Sequence, residues 1–156
     1  MGNNPKAEEY WKKFINSLPE DAEKPEKHEA WYFCDSEDCA NELGELVRTG
    51  IKTGTASLVY WYEVEGEVLP QPGDYSVITN WDGDPLCIIQ TTSIEICPFN
   101  EVSAEHAFAE GEGDRSLAYW REVHWRYFSR ECVELGKEPT ETMPVVCELF
   151  KVVYPA

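Results

Sequence analysis

The stretch LVRTGIKTGTASL, residues 46–58, decides how this part of the chain divides into helix and strand. Before it, apolar residues recur at helical spacing, and Gly50 stands where a left-handed residue commonly ends a helix. After it, the pattern changes to the alternation that is typical of a strand. Lys52, Thr55 and Ser57 lie at this junction, and Lys52 is a cation in a very acidic chain. The segment therefore predicts a helix, a stop and a strand that carries polar side chains near its mouth.

Three amphipathic segments predict helices on both sides of this junction. They run from after Pro5 to before Pro19, from a cap at Asp35 or Ser36 to Gly50, and from a cap at Asp114 or Ser116 to Gly136. A short helical piece is expected within residues 98–113. The charged stretch 19–29 is interrupted by a proline, so we expect an exposed connection there.

Alternating and β-branched runs predict the strands. The first covers Ala56 to Tyr62, and runs from Tyr75 to Trp81 and from Leu86 to Ile96 continue it as an antiparallel meander, with turns between them. A run from Val145 to Val153 predicts a closing strand. No repeat or low-complexity tract is present, so residues 1–156 are expected to form one α+β domain. Its strands would close as a small mixed or antiparallel barrel flanked by helices.

The composition limits the classes of function. The chain has 30 acidic and 13 basic residues and a formal net charge of −17, which disfavours binding to duplex DNA and other long polyanions. It contains no apolar run long enough to cross a membrane and no secretory signal, so we expect a cytoplasmic protein without a membrane partner. The six cysteines form no CxxC pair, and we expect them all to be reduced.

The residues at the junction offer the materials of acyl chemistry. A lysine held near apolar walls loses part of its preference for the charged form, which makes a base or an oxyanion partner available. Thr55 and Ser57 offer hydroxyl groups nearby, and a hydroxyl nucleophile needs a base within hydrogen-bond reach. Taken alone, the same pattern also fits a solvated loop lysine at position 52 and an ordinary strand threonine at position 55.

The second candidate stretch is AEGEGDRSLAYWREVHWRYFSRE, residues 109–131. Asp114 is explained by helix capping, whereas Glu110 lies beside glycines that suggest a backbone bent to present its side chain. Arg121 and His124 share one helix face, which fits either core and rim packing or a site. Ser129 is equally open to both interpretations.

Together the two stretches resemble a known family. GIKTGTAS at 50–57 is similar to the GxKxxTxS/R signature of the ASCH domain, a PUA-like β-barrel family. Trp31, the LP and PGD residues within 69–74, and EGEGDRSLAYWREVHWRYF at 110–128 strengthen the likeness to the larger bacterial subgroup. The resemblance covers a family core at 31–153. An N-terminal helix and connection at 1–30 lie outside it.

The resemblance implies a cleft that receives a nucleoside, a nucleotide or single-stranded RNA. One small ASCH type hydrolyses the acetyl amide of N4-acetylcytidine with a lysine, a threonine and a glutamate, which correspond here to Lys52, Thr55 and Glu110. In that chemistry Thr55 attacks the acyl carbon, Lys52 moves its proton or steadies the oxyanion, and Glu110 orients Lys52.

Two other functions fit the same resemblance. Another bacterial type is a metal-dependent ribonuclease on single strands, which would use Lys52 and stack bases on tryptophans. A non-catalytic RNA-binding module would use the same cleft. The candidate ligand-binding residues are Ser57, Trp81, Arg121, His124 and Ser129.

No cofactor is expected from the sequence. Glu110, Glu112 and Asp114 could contribute to a metal site, but no histidine is placed in the sequence to complete the set, so we predict no metal. The oligomeric state is left open by these patterns.

Overall fold

The computed structural model describes residues 4–155 and confirms the predicted α+β class with a mixed sheet. Its helices are α1 (Pro5–Ser17), α2 (Glu37–Arg48), α3 (Val59–Glu65), α4 (Ala104–Glu110) and α5 (Leu117–Glu134), with a 3-10 turn at Phe99–Glu101. Its strands are β1 (Glu29–Trp31), β2 (Gly54–Leu58), β3 (Tyr75–Thr79), β4 (Pro85–Pro98) and β5 (Pro144–Tyr154). Hydrogen-bonded neighbours in the sheet follow the order β1-β3-β4-β5-β2. Within residues 4–155, no helix is long and apolar enough to cross a membrane.

Local capping residues mark the starts of the three predicted amphipathic helices, and a glycine follows the end of α2. Asn4, Ser36 and Ser116 cap α1, α2 and α5, each by accepting a hydrogen bond from a backbone amide of the first turn. Gly50 follows α2 in a left-handed conformation, with φ of +81°, which a glycine adopts without steric cost. The end of the helix and the start of the Lys52 segment are therefore confirmed.

The strand predicted from Ala56 to Tyr62 is wrong beyond Leu58. The chain turns there into α3, which ends at the left-handed Gly66. Strand propensity of aromatic and β-branched residues reflects how well they fit a half-buried surface, and it gives way to tertiary packing. In α3 the Tyr60 ring packs against the buried core instead.

The predicted three-strand meander is only partly present. β3 and β4 pair antiparallel as expected, but β2 pairs antiparallel with β5 and not with β3. The short strand β1, which pairs parallel with β3, was not predicted from the sequence. A strand of three residues is too short to show a period of two, and the partner of β2 lies some 90 residues away, as the pairing of Thr55 with Glu148 shows.

The chain divides into two compact units. The first comprises the described parts of residues 1–51, 73–91 and 150–156, and the second comprises residues 52–72 and 92–149. The buried core of the second unit is formed by ten side chains: Leu58, Phe99, Val102, Ala107, Trp120, Phe128, Cys132, Met143, Val145 and Cys147. Lys52, Thr55 and Glu110, the predicted catalytic residues, all belong to the second unit.

The prediction that all cysteines are reduced is wrong for one pair. Cys34 and Cys39 form a disulfide, with their Cα atoms 5.9 Å apart, a normal separation for such a bond. The four other cysteines are free thiols. Sequence spacing could not reveal the pair, because whether two cysteines five residues apart meet depends on the turn between them, where Cys34 has a positive φ of 65°.

Candidate functional site

Lys52 is placed by the segment that follows Gly50. The Thr53 amide donates a 2.7 Å hydrogen bond to the carbonyl of Ala109, which fixes the segment to the last turn of α4. The Lys52 side chain enters the second unit there and is only 1% exposed. A buried lysine is rare unless it is paired, so its partners determine what it can do.

The Lys52 ammonium is surrounded by acceptors. Its Nζ atom donates to the Glu110 carbonyl at 3.3 Å, to Glu110 Oε1 at 3.4 Å and to Glu112 Oε2 at 2.8 Å. An ammonium group has three N–H donors and no acceptor, so these three acceptors match its hydrogen-bonding capacity. The arrangement places the Lys52 Nζ atom between two carboxylates.

Glu110 is the centre of the cluster and is the last residue of α4. Gly111 ends the helix in a left-handed conformation, with φ of +71°, and the chain turns so that Glu112 also reaches Lys52. The second carboxylate oxygen of Glu110 accepts a hydrogen bond from the indole Nε1–H of Trp120. The glycine-flanked bend that the sequence suggested is therefore present, and Glu110 points into the protein.

Two histidines complete the surroundings of Glu110. His106 Nε2 lies 3.0 Å from Glu110 Oε2, although this nitrogen has no well-aligned hydrogen bond among the described residues. His124 stacks on the Trp120 ring, and its Nε2 lies 3.5 Å from Glu110 Oε1. The other ring nitrogen of His124, Nδ1, is 2.9 Å from the Trp120 carbonyl. Both nitrogens of His124 therefore face acceptors.

Electrostatics keep Glu110 ionised. Burial by itself would raise the pKa of its carboxyl group. The positive charge of Lys52 and the short contacts from His106 and His124 outweigh burial and hold the pKa well below its ordinary value of 4.5. The cluster thus contains a fixed carboxylate and a fixed ammonium in a buried setting.

Glu112 and His124 form the edge of this cluster that reaches solvent. The Lys52 and Glu110 side chains are almost fully buried, whereas those of Glu112 and His124 are 18% and 12% exposed. The carboxylates outnumber the ammonium by two to one. A ligand arriving at this edge would therefore meet more negative than positive charge from these three groups.

Thr55 and Ser57 lie on β2. Ala56 and Leu58 belong to the face that contacts the core of the second unit, so the alternation of a strand places Thr55 and Ser57 on the opposite face. Both are half-buried, and the Ser57 hydroxyl is 2.9 Å from that of Tyr62 on α3. The structure thus places Thr55 three residues beyond Lys52 on a strand whose register is well defined.

The remaining candidate ligand-binding residues have different surroundings. His124 belongs to the Glu110 cluster, while the exposed Arg121 donates to the Asn100 carbonyl at 3.3 Å. The Ser129 hydroxyl is buried and has no hydrogen-bond partner among the residues described. Trp81 belongs to the first unit, where its ring contacts Tyr32.

Three polar residues around the candidate site were given no role from the sequence: His106 and Trp120 beside Glu110, and Glu148 opposite Thr55. Glu112 was considered only as a possible metal ligand. A signal existed for His106, because His106 and Glu110 are four residues apart on a helix and therefore share one face. The others depend on contacts that no local pattern contains. In particular, His124 reaches Glu110 only because α5 packs against α4.

Glu110, Glu112 and His124 could also hold a metal ion. One ligand atom from each lies within 4.8 Å of the others, and carboxylate and imidazole groups are common ligands of divalent metals. The expectation that no histidine is available to complete the set is therefore corrected. Both carboxylates are already bound by the Lys52 ammonium, so a metal ion would compete with that cation.

The family follows from the comparisons. The model of the ASCH domain matches residues 29–154, so the chain belongs to the ASCH domain family, as GIKTGTAS and the accompanying motifs predicted. An ASCH domain from Lactobacillus crispatus, solved as a crystal structure, has 45% sequence identity to this chain and a TM-score of 0.93. The match covers 99% of this chain and 98% of that one.

Two other solved structures are similar. A protein from Enterococcus faecalis is 38% identical over 95% of this chain and 88% of its own, with a TM-score of 0.83. A hypothetical protein, PH0355, is 18% identical over 81% of this chain and 97% of its own, with a TM-score of 0.51, which shows a likeness of fold alone. No curated protein is a significant match. The comparisons support the PUA-like fold and do not assign a reaction.

Proposed function

We propose that this ASCH domain binds an acylated nucleoside and hydrolyses its amide bond, as an N4-acetylcytidine-type amidohydrolase with Lys52, Thr55 and Glu110. The observation that carries the proposal is the buried Lys52–Glu110 pair, 3.4 Å apart, at the end of the family motif. A second carboxylate, from Glu112, and an imidazole, from His124, lie beside it. A buried carboxyl group whose pKa is strongly lowered, as that of Glu110 is, is typical of functional sites.

Burial of these charges argues against a purely stabilising role. A buried ion pair must repay the loss of hydration of both groups, and replacing such a pair by well-packed apolar residues is often neutral or stabilising. Lys52 and Glu110 therefore make a poor stability device compared with apolar residues of similar size. A catalytic cation held by a fixed carboxylate explains why both would be kept inside the protein.

The charge of the cluster favours an uncharged ligand. Glu110 and Glu112 together outweigh Lys52, and the whole chain carries a formal charge of −17. Phosphate groups supply most non-specific affinity for nucleic acids and need basic partners. A nucleoside without phosphate avoids this repulsion. In the proposed reaction the Thr55 hydroxyl attacks the acyl carbon, and the Lys52 ammonium stabilises the negative charge that develops on the carbonyl oxygen.

One observation favours a second function, a metal-dependent ribonuclease acting on single-stranded RNA. Glu110, Glu112 and His124 could supply carboxylate and imidazole ligands to a metal ion, and a bound divalent cation would change the local balance of charge. This function requires the metal to displace Lys52 from the two carboxylates. It therefore predicts that added divalent metal changes the chemical environment of His124, whereas the amidohydrolase needs no added metal.

Incubation with N4-acetylcytidine tests the proposal, with cytidine and acetate followed by liquid chromatography. We expect turnover by the wild type in the presence of a chelator, and loss of turnover in Thr55→Val and Lys52→Ala. Thr92→Val is the matched control, because Thr92 is an exposed strand threonine of the same unit. Circular dichroism establishes that each variant is folded.

Three results would overturn the amidohydrolase. Cleavage of single-stranded RNA that depends on metal and weakens with salt would establish the ribonuclease instead. Saturable binding of nucleoside or RNA without any product would establish a non-catalytic module. Full activity in Thr55→Val would remove the proposed nucleophile.

A further inference from the structure

The strand that pairs with β2 brings a buried carboxylate opposite Thr55. In the antiparallel β2–β5 ladder Thr55 is paired with Glu148, while the neighbouring pair is Ala56 with Cys147. Ala56 and Cys147 both contact the core of the second unit. Because side chains alternate along a strand and directly opposed residues share a face, Thr55 and Glu148 lie together on the other face.

Glu148 is unusual for a residue near the end of a sheet ladder. It is 9% exposed, and a glutamate is almost never buried to this degree without a polar partner. The Cβ atoms of directly opposed residues in an antiparallel pair are about 4.5–5.5 Å apart. A glutamate side chain is long enough to bring its carboxylate to the hydroxyl of the opposed threonine at that separation.

The proposed reaction still needs a base that accepts the Thr55 hydroxyl proton. A threonine hydroxyl is a weak nucleophile until a base accepts its proton. The Lys52 ammonium donates to two oxygens of Glu110 and one of Glu112, and a protonated amine has no lone pair to accept a further proton. Glu110 is occupied in turn by Lys52, Trp120 and the two histidines. A different group must act on Thr55.

We propose that Glu148 is the general base for Thr55, an inference that rests on the proposed amidohydrolase function. The Thr55 hydroxyl proton passes to a carboxylate oxygen of Glu148 as Thr55 Oγ forms a bond to the acyl carbon. The tetrahedral adduct then breaks its C–N bond, and the proton moves from Glu148 to the departing amine. Water attacks the resulting acyl ester with the same base, which yields acetic acid and restores the Thr55 hydroxyl.

The inference divides the site into two parts with different tasks. Lys52 and Glu110 form an electrostatic part that stabilises charge, whereas Thr55 and Glu148 form the part that makes and breaks bonds. Loss of Glu148 should therefore slow the chemical step without weakening substrate binding. Positioned general bases contribute about 10²- to 10⁴-fold to rates, so we expect the kcat of Glu148→Gln to fall by about 100-fold or more, with KM unchanged.

The test measures kcat and KM on N4-acetylcytidine for the wild type, Glu148→Gln, Glu148→Ala and Glu95→Gln. Glu95 is the matched control, because it is an exposed strand glutamate of the same unit. Glu95→Gln should behave as the wild type. Added formate should restore part of the activity of Glu148→Ala, because a small carboxylate can enter the vacated space and accept the proton. A purely structural role for Glu148 would not give rescue by formate.

The outcomes separate this inference from the function on which it rests. If the wild type turns over N4-acetylcytidine and Thr55→Val does not, but Glu148→Gln retains the wild-type kcat, the inference is wrong and the amidohydrolase stands. If the wild type gives no product, both are wrong. If Glu148→Gln fails to fold, Glu148→Asp decides, since a base with shorter reach predicts a lower kcat at the same KM, and an unchanged kcat overturns the inference.

Discussion

Each unit of the molecule contains a lysine paired closely with a carboxylate, and the two pairs differ strongly in burial. Lys6 lies 2.6 Å from Asp84 in the first unit, with side chains that are 66% and 46% exposed. Lys52 lies 2.8 Å from Glu112 in the second unit, where the lysine is 1% exposed. Nearly equal distances therefore describe very different interactions.

The difference shows that distance alone does not identify a functional ion pair. An exposed pair is screened by water and must order two long side chains, so it contributes little to stability. The charges of Lys52 and Glu110 are desolvated, and either group without the other would be an uncompensated charge inside the protein. The Lys6–Asp84 pair is a surface feature, whereas the buried charges around Lys52 constrain the fold at a candidate site.

Removal of the buried lysine should have the largest effect of any single change. We expect Lys52→Met to lower the free energy of unfolding by about 3–5 kcal/mol, because two carboxylates lose their cation and Glu110 stays buried. Urea denaturation followed by circular dichroism measures this change. Lys6→Met is the control and should leave the denaturation midpoint almost unaltered. Equal midpoints for both variants would show that burial does not distinguish the two lysine–carboxylate pairs.

Acid should affect the two pairs differently. Because the folded protein holds the pKa of Glu110 well below 4.5, its carboxylate contributes stability that is present above about pH 4.5. That contribution is lost as the pH falls from this value through the lower folded pKa. We expect Glu110→Gln to be less stable than the wild type at neutral pH and to lose less stability on acidification, as measured by urea midpoints between pH 7 and pH 3.

The matched control for acidification is Asp84→Asn. The hydrogen bond from Lys6 also lowers the pKa of Asp84 from its ordinary value, but both groups are exposed and solvated. Its effect on the acid slope should therefore be smaller than that of Glu110→Gln. The Glu110 effect should be smaller than that of removing Lys52, because Lys52 keeps its contact with Glu112 and the single amide oxygen can still accept from one of the two donors, Lys52 or Trp120. An acid slope that is the same in Glu110→Gln and the wild type would show that Glu110 is not ionised in the fold.

Much of the fold could be predicted, because its signals are local. The helix caps at Ser36 and Ser116 and the stop at Gly50 each depend on a few neighbouring residues. The helix α3 was mistaken for a strand, since its aromatic residues favour strands until packing decides otherwise. The pairing of β2 with β5 was missed because strands far apart in the chain leave no local record of their contact.

The candidate site shows the same contrast between local patterns and long-range contacts. Lys52, Thr55 and Glu110 were found through motifs that lie within short segments, and the structure does place Lys52 against Glu110. His124 was named as a ligand-binding candidate, but its approach to Glu110 requires α5 to pack on α4, which no spacing records. Glu148 could be found only from the register of two strands. Residue types can be read locally, whereas their meeting depends on the completed fold.

The indole of Trp120 supports the buried Glu110 carboxylate in the second unit, and its contribution to stability can be measured. Trp120→Phe keeps an aromatic ring in the core but removes the donor to Glu110 Oε2. A hydrogen bond to a charged group contributes about 1.5–3 kcal/mol, so we expect a loss of stability in that range by urea denaturation. Trp125→Phe is the control, because the Trp125 ring is partly exposed and contacts Phe99. A smaller loss for Trp120 than for Trp125 would mean that the indole donor does not support Glu110.

The smallest expected effect comes from a neutral hydrogen bond in the same unit. The hydroxyls of Ser57 and Tyr62 are 2.9 Å apart and half-buried, with no charge on either group. A bond of this kind contributes about 0.5–1.5 kcal/mol, so Tyr62→Phe should destabilise the protein by that amount. Ser57→Ala, alone and combined with Tyr62→Phe, completes a double-mutant cycle. The cycle isolates the coupling energy between the two hydroxyls from the other contacts of each side chain. A coupling as large as that between Lys52 and Glu110 would show that burial of the pair, and not its charge, sets the scale of these interactions.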